Sequence, residues 1–522
     1  MNKTLKLGTR RSLLAIAQSR GIARHIEQTN PGISVELVGI ETQGDRILDI
    51  PLSKIEGKEF FVAELDKALT DKEVDLTVHS MKDLSLERPD NFTLAAIPER
   101  ENPRDIMLFA NNIIEKLKQG EPIRIGTSSP RRIENLPPFL EKALPNFGGT
   151  PKLAITEIRG NVNTRISFLS LPEDDPKKID GVALAFAGLN RLWADASGRT
   201  ELKQLLNGLR WMLLPIRECP TAPAQGALAI ECRSADTGTR ALLTKLHCPS
   251  TAQAIEQERQ ILQDWGGGCH QRFGATVLHF NQLGRLLFIR GRKPDNTYVE
   301  ELRWTTPENK PATAPSWDGT SWRETSFTSD YLKNQHPPSR LTETGATFIA
   351  HSRALPEQWA TILIKSPQRI WTSGTSSWFQ LAKLGIWVEG SAEEFGFDAL
   401  QNTLKQELLN LPAINDWNVL THDAGLDTWP CKHVTSTYSI NSTTQLQADH
   451  PAVIALSKAQ AVFWSSASQF EAFKEWIPEG CQHACRYGKS YYSLINKGLD
   501  NLAVYPSAAE WRRQQTQQGA EK

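Results

Sequence analysis

The 522-residue chain lacks any apolar run approaching the roughly 20 residues that a bilayer-spanning helix needs. It also lacks a charge of either sign to spare: 59 Lys and Arg stand against 59 Asp and Glu. No global field therefore draws it to nucleic acid or to an anionic membrane, and any anion must be held by local clusters. Cysteine is scarce, with seven residues at 219, 232, 248, 269, 431, 481 and 485. An odd number without paired CxxC spacing argues against a disulfide framework and against a zinc site, and for a reducing compartment. Cys481 and Cys485 flank His483, but that trio has no second half. The N-terminus carries early positive charge, yet its apolar run from Leu13 to Ala17 is too short for a signal peptide, and no small-residue cleavage site follows. A cytoplasmic protein is expected, with no membrane, nucleic-acid or metal partner.

What is present reads as an ordinary globular chain, 39% hydrophobic and 23% charged, long enough for several domains. The fold class expected is α/β and multidomain. ISVELVGI (33–40) and VDLTVHS (74–80) alternate as strands do, whereas 11–28 has helical periodicity. IRIG (123–126) and GVALAFAG (181–188) are further strands, so strands alternate with helices over the first 230 residues. From 235 to 303 a smaller α+β unit follows, with a helix over 252–263 and strands at ATVLHF and LLFIRGR. The composition then shifts: of fifteen tryptophans, three precede residue 300 and twelve follow it. The Thr, Ser and Pro-rich stretch 306–344 reads as a linker, and residues 345–515 as a further α/β region.

Arginines mark the first half. Arg10 and Arg11 precede Ser12 at the start of the first helix, and Arg131 and Arg132 follow Ser128, Ser129 and Pro130. The first turn of a helix favours acidic residues because its N–H groups carry partial positive charge. Two arginine pairs at such positions make sense where an anion is held by backbone N–H and guanidinium together. Arg159 and Arg165 flank GNVNT, and Arg191 sits just past an apolar strand. Taken singly, each arginine is a solvated surface residue as readily as a ligand; taken as a set at strand ends, they describe an anion site.

In VHSMKD (78–83), Lys82 and Asp83 follow a strand. A carboxylate among arginines stays ionised and is placed to stabilise a cation or pass protons to a leaving amine. Lys54 and Lys58 around Gly57, with Phe61 behind, resemble a mobile basic flap or a solvated loop. In DWGGGCHQRFG (264–274) a thiol, Cys269, stands behind three glycines. It is either a tether for a covalent passenger or a buried small hydrophobe beyond a turn.

Over residues 5–305 the chain resembles the porphobilinogen deaminase (hydroxymethylbilane synthase) family. The resemblance is carried by LGTRRSLLAIAQ, ETQGDRILDIPLSKIEGKEFFVAELD, VHSMKDL, GTSSPRR, IRGNVNTR, AFAGLNRL, APAQGALAIECR and GGGC, in family order. It implies head-to-tail joining of four porphobilinogen units with loss of ammonia, on a dipyrromethane cofactor bound by thioether to Cys269. It implies Asp83 as catalytic acid beside Lys82, stabilising an azafulvene-like cation. Thr127, Ser128, Ser129, Ser12, Arg131, Arg132 and Lys82 would hold the cofactor. Arg10, Arg11, Arg159, Arg165 and Arg191 would hold substrate acetates and propionates, with Lys54, Lys58 and Phe61 on the active-site loop. Two periplasmic-binding-protein-like domains are implied, 1–103 with a return over 213–234, and 104–212, followed by a cysteine-bearing third domain at 235–305. The protein is expected to be a monomer. The chain departs from the family at Leu13, where proline is usual, at Gln43 and Asn190, usually basic, and by an insertion within 137–152.

Residues 345–515 bear a fainter resemblance to uroporphyrinogen-III synthase, in AQAVFWSSASQFEAF and RYGKSYYSLINKGLDNLAVYPSAAEWRRQ. That family closes the linear tetrapyrrole with inversion of its last ring. Ser465, Ser466, Ser468, Tyr487, Lys489 and Ser490 are the candidate cleft residues; as helix caps they would need no ligand. The alternatives are a deaminase with a non-catalytic C-terminal domain, or a non-enzymatic polyanion-binding module. The latter would need neither Asp83 nor the glycine-flanked thiol.

Overall fold

A computed structural model describes residues 3–42, 62–266, 271–280, 283–305, 315–319, 327–331, 336–442 and 446–519. The chain forms two compact units. The first comprises Met1–Leu278, Leu287–Arg303 and Gln406–Leu408, and the second His279–Leu286, Trp304–Lys405 and Leu409–Lys522.

The first unit is built around two sheets. Its strands in chain order are β1 (Lys3–Arg10), β2 (Ile33–Ile40), β3 (Leu76–Ser80), β4 (Phe92–Ala96), β5 (Asp105–Phe109), β6 (Ile123–Gly126), β7 (Leu153–Thr156), β8 (Gly181–Ala185), β9 (Arg210–Leu213) and β10 (Leu228–Arg233). One sheet has the order β2-β1-β3-β10-β4 and the other β7-β6-β8-β5-β9. The two share one pattern. β1 pairs parallel with β2 and β3, as β6 does with β7 and β8. β10 and β5 then run antiparallel to both of their neighbours. The chain thus crosses between lobes twice, after β4 and after β9. The apolar side chains of β1, β3 and β10 bury Leu5, Leu7, Leu76 and Ile230 against Ile22 and Ile26 of the helix Leu13–Thr29. That helix is capped by Ser12, whose hydroxyl accepts from the Ala15 N–H.

A third sheet, β11 (Arg272–Phe280), β12 (Gly284–Arg292) and β13 (Tyr298–Thr305), follows the helix Pro249–Asp264. Ala254 and Ile261 of that helix pack with Phe273, Val277, Leu287 and Ile289.

The second unit also holds two sheets. Its further strands are β14 (Ser316–Trp317), β15 (Phe327–Tyr331), β16 (Gly345–Ile349), β17 (Gln368–Thr372), β18 (Gly390–Ser391), β19 (Asn418–His422), β20 (His433–Ser442), β21 (Ala461–Trp464), β22 (Gln482–Arg486) and β23 (Leu502–Tyr505). Their orders are β15-β20-β19-β16-β17-β18 and β14-β21-β22-β23. β14 and β15 lie inside the stretch read from composition as a linker. They are strands because each finds a long-range partner: β14 pairs with β21, and β15 antiparallel with β20. Among the described residues no helix is long and apolar enough to cross a membrane.

Candidate active site

The candidate residues of the first unit follow the carboxyl ends of its parallel strands, where open α/β sheets bind ligands. β1 ends at Arg10, β3 runs into the single 3-10 turn Met81–Asp83, and β6 leads to Thr127–Ser129. Arg159 comes after β7, and β8 ends where the helix Phe186–Ala194, carrying Arg191, begins.

Asp83 is exposed and Lys82 half-buried on their turn. The Lys82 ammonium is pushed below its ordinary value by burial first, with Arg132 and Arg131 adding to the effect against the pull of Asp83 and Asp105. Lys82 therefore feels the same groups that organise the arginine pair on the other lobe.

Arg131 and Arg132, read from the sequence as holding an anion at a helix start, have a counter-charge within the protein. Both are buried, and both are engaged by Asp105, a completely buried carboxylate. Arg131 Nη2 donates to Asp105 Oδ2 at 2.8 Å, while Arg132 donates from Nη2 to Oδ1 at 2.8 Å and from Nε to Oδ2 at 3.1 Å. Their Nη1 atoms reach the carbonyls of Pro220 and Ala183. Gln225 Nε2 adds a further bond to Asp105 Oδ1 at 2.8 Å. Burial alone would raise the Asp105 pKa, but the two guanidiniums outweigh it and hold the carboxyl far below its usual range. Two adjacent cations inside the protein need a counter-charge, and the single carboxylate of Asp105 supplies one negative charge against their two.

Arg159 and Arg165 are different. Among the described residues Arg165 bonds only the Gly160 carbonyl, from Nε, and its value is lowered to about 10 by burial and by the like charges of Arg132 and Arg159. Arg159 Nη2 is buried with no hydrogen-bond partner among the described residues. Arg191 donates to the Gly226 carbonyl at 2.6 Å and is likewise lowered to about 10 by burial, against the pull of Glu101. Among the described residues, Arg159 and Arg165 make no ion pair.

Arg11 is not part of this cluster: its Nε approaches the Gly39 carbonyl and its guanidinium pairs with Glu41 at 3.8 Å in solvent. The Thr127 hydroxyl accepts from the Ser129 N–H at 3.2 Å and so shapes the turn, leaving Ser128 and Ser129 half-buried at the start of the helix Pro130–Ala143. Asn190 donates to Glu101 at 3.4 Å. Lys54, Lys58, Phe61 and Cys269 lie outside the described residues.

Two supporting groups carry no sequence signal of their own. Asp105 is one, since nothing local ties it to an arginine pair twenty-odd residues on. Arg259, on the helix Pro249–Asp264, is the other. It donates to the carbonyls of Met81 at 3.2 Å, Leu84 at 3.1 Å and Ser85 at 2.7 Å, clasping the turn that carries Lys82 and Asp83. The neighbouring Glu258 is fully buried and bound by both Nη atoms of Arg100 and by the N–H groups of Ala224 and Val277. Among the described residues, Asp66, His79 and Glu231 have the composition of a metal cluster. Arg88 already bridges Asp66 and Glu231 at 2.7 and 2.8 Å, which makes it a buried ion-pair knot.

In the second unit, Ser466 caps the helix Ala467–Phe473 through the Gln469 N–H and meets Ser468 at 3.0 Å. Ser465 bonds the Gln469 side chain, and Ser490 the Ser465 carbonyl. Tyr487 is buried, its hydroxyl 3.4 Å from that of Tyr492, and Lys489 lies over the Trp429 ring at 4.2 Å.

Two crossing lobes, an exposed carboxylate and a surplus of guanidinium charge define the first unit as a two-lobed α/β protein that holds a polycarboxylate small molecule. Residues 5–241 match the family model described as "Porphobilinogen deaminase, dipyromethane cofactor binding domain". The porphobilinogen deaminase of Bacillus subtilis (strain 168) is 37% identical over 281 residues, 53% of this chain and 81% of its own length. That of Thiobacillus denitrificans is 39% identical over 297 residues, 56% of this chain and 87% of its own. A Listeria monocytogenes relative is 38% identical over 302 residues, 58% of this chain and 89% of its own. The chain belongs to the porphobilinogen deaminase family. Its activity is that of a hydroxymethylbilane synthase, and its cofactor is dipyrromethane. The residues present suit that group, because a guanidinium atom of Arg159, buried and unpartnered among the described residues, and the mutually repelling Arg165 call for carboxylates.

Proposed function

We propose that Asp83 is the acid of the first unit and that Cys269 holds the cofactor as a thioether. Asp83 is the exposed carboxylate of the β3 turn, free to hydrogen-bond pyrrole N–H groups and to deliver a proton to departing ammonia. Lys82, with its affinity for a proton weakened by burial, stands between Asp83 and the arginine pair and orients a carboxylate against them. Arg132, Arg159 and Arg165 take acetate and propionate groups, Arg10 and Arg191 border the same site, and the turn Thr127–Ser129 offers hydroxyl and N–H donors. When bound, the dipyrromethane supplies the pyrrole carbon on which the chain grows. The observation that carries this reading is the Arg159–Arg165 pair, whose like charges repel and whose buried Arg159 Nη2 has no hydrogen-bond partner among the described residues. Its test is the intact mass of the protein beside Cys269→Ala. A mass excess matching dipyrromethane in the wild type alone is expected, together with loss of porphobilinogen consumption in the variant. A variant that still loads and turns over would overturn the assignment.

We further propose that the second unit cyclises the linear product to uroporphyrinogen III. What supports this is its architecture of two α/β sheets crossed twice by the chain. β14 belongs to one sheet, β15–β20 to the other, and β21–β23 return to the first. This is the arrangement of two linked α/β domains that the resemblance to uroporphyrinogen-III synthase implies. With porphobilinogen as sole substrate, the full chain is expected to release predominantly the ring-inverted isomer. Release of the non-inverted isomer alone would leave a deaminase with a non-catalytic C-terminal unit.

A further inference from the structure

In the second unit, β19 ends at Thr421 and His422, and the turn Asp423–Thr428 leads on to Trp429. On the other sheet, β22 ends at Arg486, after which Tyr487 and Gly488 lead to Lys489. The chain after β22 meets the segment that follows β18 backbone to backbone. Gly488 and Gly396 both have positive φ, +109° and +88°, and a Cβ on Gly488 would lie 3.1 Å from the Phe395 carbonyl carbon. An ion pair between Arg486 and Glu394 sits beside this contact.

The contact carries Lys489 across to the β19 side, where its ammonium lies 4.2 Å from the centre of the Trp429 ring. A Cβ at Gly425 would be 3.1 Å from Lys489 Nζ, 3.1 Å from Thr421 Oγ1 and 3.2 Å from His422 Nε2. Three polar groups from two strand ends therefore converge beside Gly425, so closely that a larger residue there would press on all three. Thr421 is completely buried, and among the described residues neither its Oγ1 nor His422 Nδ1 has a hydrogen-bond partner. Lys489 makes no ion pair among the described residues. Burial lowers its value to about 8, with no carboxylate pulling it back up. Its charge also depresses His422, after burial and against Asp423.

A cation on an aromatic face gains some attraction from the ring, but that does not replace a counter-ion. An unsatisfied buried hydroxyl beside it costs free energy until an acceptor arrives. One oxyanion group answers all of this, accepting from Nζ, from the Thr421 hydroxyl and from a His422 Nε2–H. A metal ion is disfavoured by the ammonium, and a neutral acceptor would leave the charge uncompensated. We propose that Lys489, Thr421 and His422 form a carboxylate-binding subsite that grips one acetate or propionate of the linear tetrapyrrole. This rests on the cyclising role proposed for the second unit, although the subsite is tested without it.

The test is amine acetylation of the full-length protein at pH 8, with lysine peptides quantified by mass spectrometry, with and without uroporphyrin III as an octacarboxylate probe. Protection of Lys489 by at least about fivefold is expected, with none at Lys497, which pairs with Glu471 outside the subsite. Thr421→Val should weaken the probe concentration needed for protection by about fivefold, the worth of one hydrogen bond. Equal labelling of Lys489 with and without the probe would overturn the subsite. In parallel, Lys489→Met should shift product from the inverted to the non-inverted isomer, and Lys489→Arg should restore much of it, while porphobilinogen consumption serves as the internal control. If Lys489→Met leaves the isomer ratio of a cyclising wild type untouched, the subsite plays no part in cyclisation and the proposal falls. If the wild type never inverts, the cyclising reading falls, and protection alone judges the subsite.

Discussion

The two units solve the problem of a polar interior in opposite ways. The first buries charge in ion pairs: Asp105 with Arg131 and Arg132, Glu258 with Arg100, and Glu231 with Arg88. The second buries aromatic mass. Trp359, Trp371, Trp378, Trp417 and Trp464 are among the largest fully buried side chains, and all five belong to it. A buried ion pair tolerates almost no substitution, because removing one partner strands the other. An apolar core accepts many combinations of side chains of the right volume. Motifs therefore stay recognisable along the first unit and fade along the second, although both are folded α/β structures.

Breaking the charge knots should separate the units most sharply. Asp105→Ala leaves Arg131 and Arg132 buried without a counter-charge, and should cost the first unit about 3–5 kcal/mol. Denaturation followed by a probe in each unit should show the first transition shifted and the second unmoved, with deaminase turnover lost. A shift of both transitions would mean that the contrast does not hold. The converse is Trp464→Ala. Trp464 is fully buried and donates to His483 at 3.0 Å, so its truncation should remove about 3–5 kcal/mol from the second unit. Porphobilinogen consumption measured below that transition should be unchanged.

Acid should likewise act first on the first unit. His79 is held to about 3 by burial, with Arg88 and Arg10 adding to it. A folded value below the ordinary 6.5 means that the unfolded chain binds the proton more readily. This group's contribution is thus fully present above about pH 6.5 and falls by at most about 1.4 kcal/mol per unit on acidification towards 3. Asp105 adds a loss in the same direction at lower pH, its carboxyl being depressed by the arginine pair against the effect of burial. Denaturation midpoints of the first unit measured across that range, with and without His79→Gln, check the slope.

The smallest effect concerns geometry. Arg259→Met frees the turn Met81–Asp83 from its three carbonyl contacts and should lower kcat about tenfold, or ~1.4 kcal/mol, with little change in KM. Arg259→Lys should recover part of it. A rise in KM at unchanged kcat would assign Arg259 to binding instead.

Much of the local structure was legible. β2 spans Ile33–Ile40 and β6 Ile123–Gly126, the stretches their alternation and flanking turn signals marked. GVALAFAG reads as one strand, yet β8 stops at Ala185 and a helix begins at Phe186. The run is apolar and almost entirely buried on both sides of that boundary, so periodicity offers no mark where strand becomes helix. The Thr, Ser and Pro-rich stretch reads as linker because a strand of two residues, Ser316–Trp317, has no pattern of its own. Its identity comes from pairing with β21.

By itself the sequence determined the chemistry: which side chains carry charge, an acid after a strand, and arginines after strand ends and turn signals. Those signals are short-range, arising from propensity, capping and spacing within a few residues. Only the tertiary structure decided which charges are spent and which are available. Arg131 and Arg132 look equivalent to Arg159 and Arg165 along the chain. In space the first pair shares the carboxylate of Asp105, while Arg159 keeps a buried donor with no hydrogen-bond partner among the described residues. The same holds for Lys489, which becomes part of a binding group only when Thr421 and His422 arrive beside it from another sheet. Burial and long-range pairing set the electrostatic free energy of a side chain, and neither is written in its neighbours.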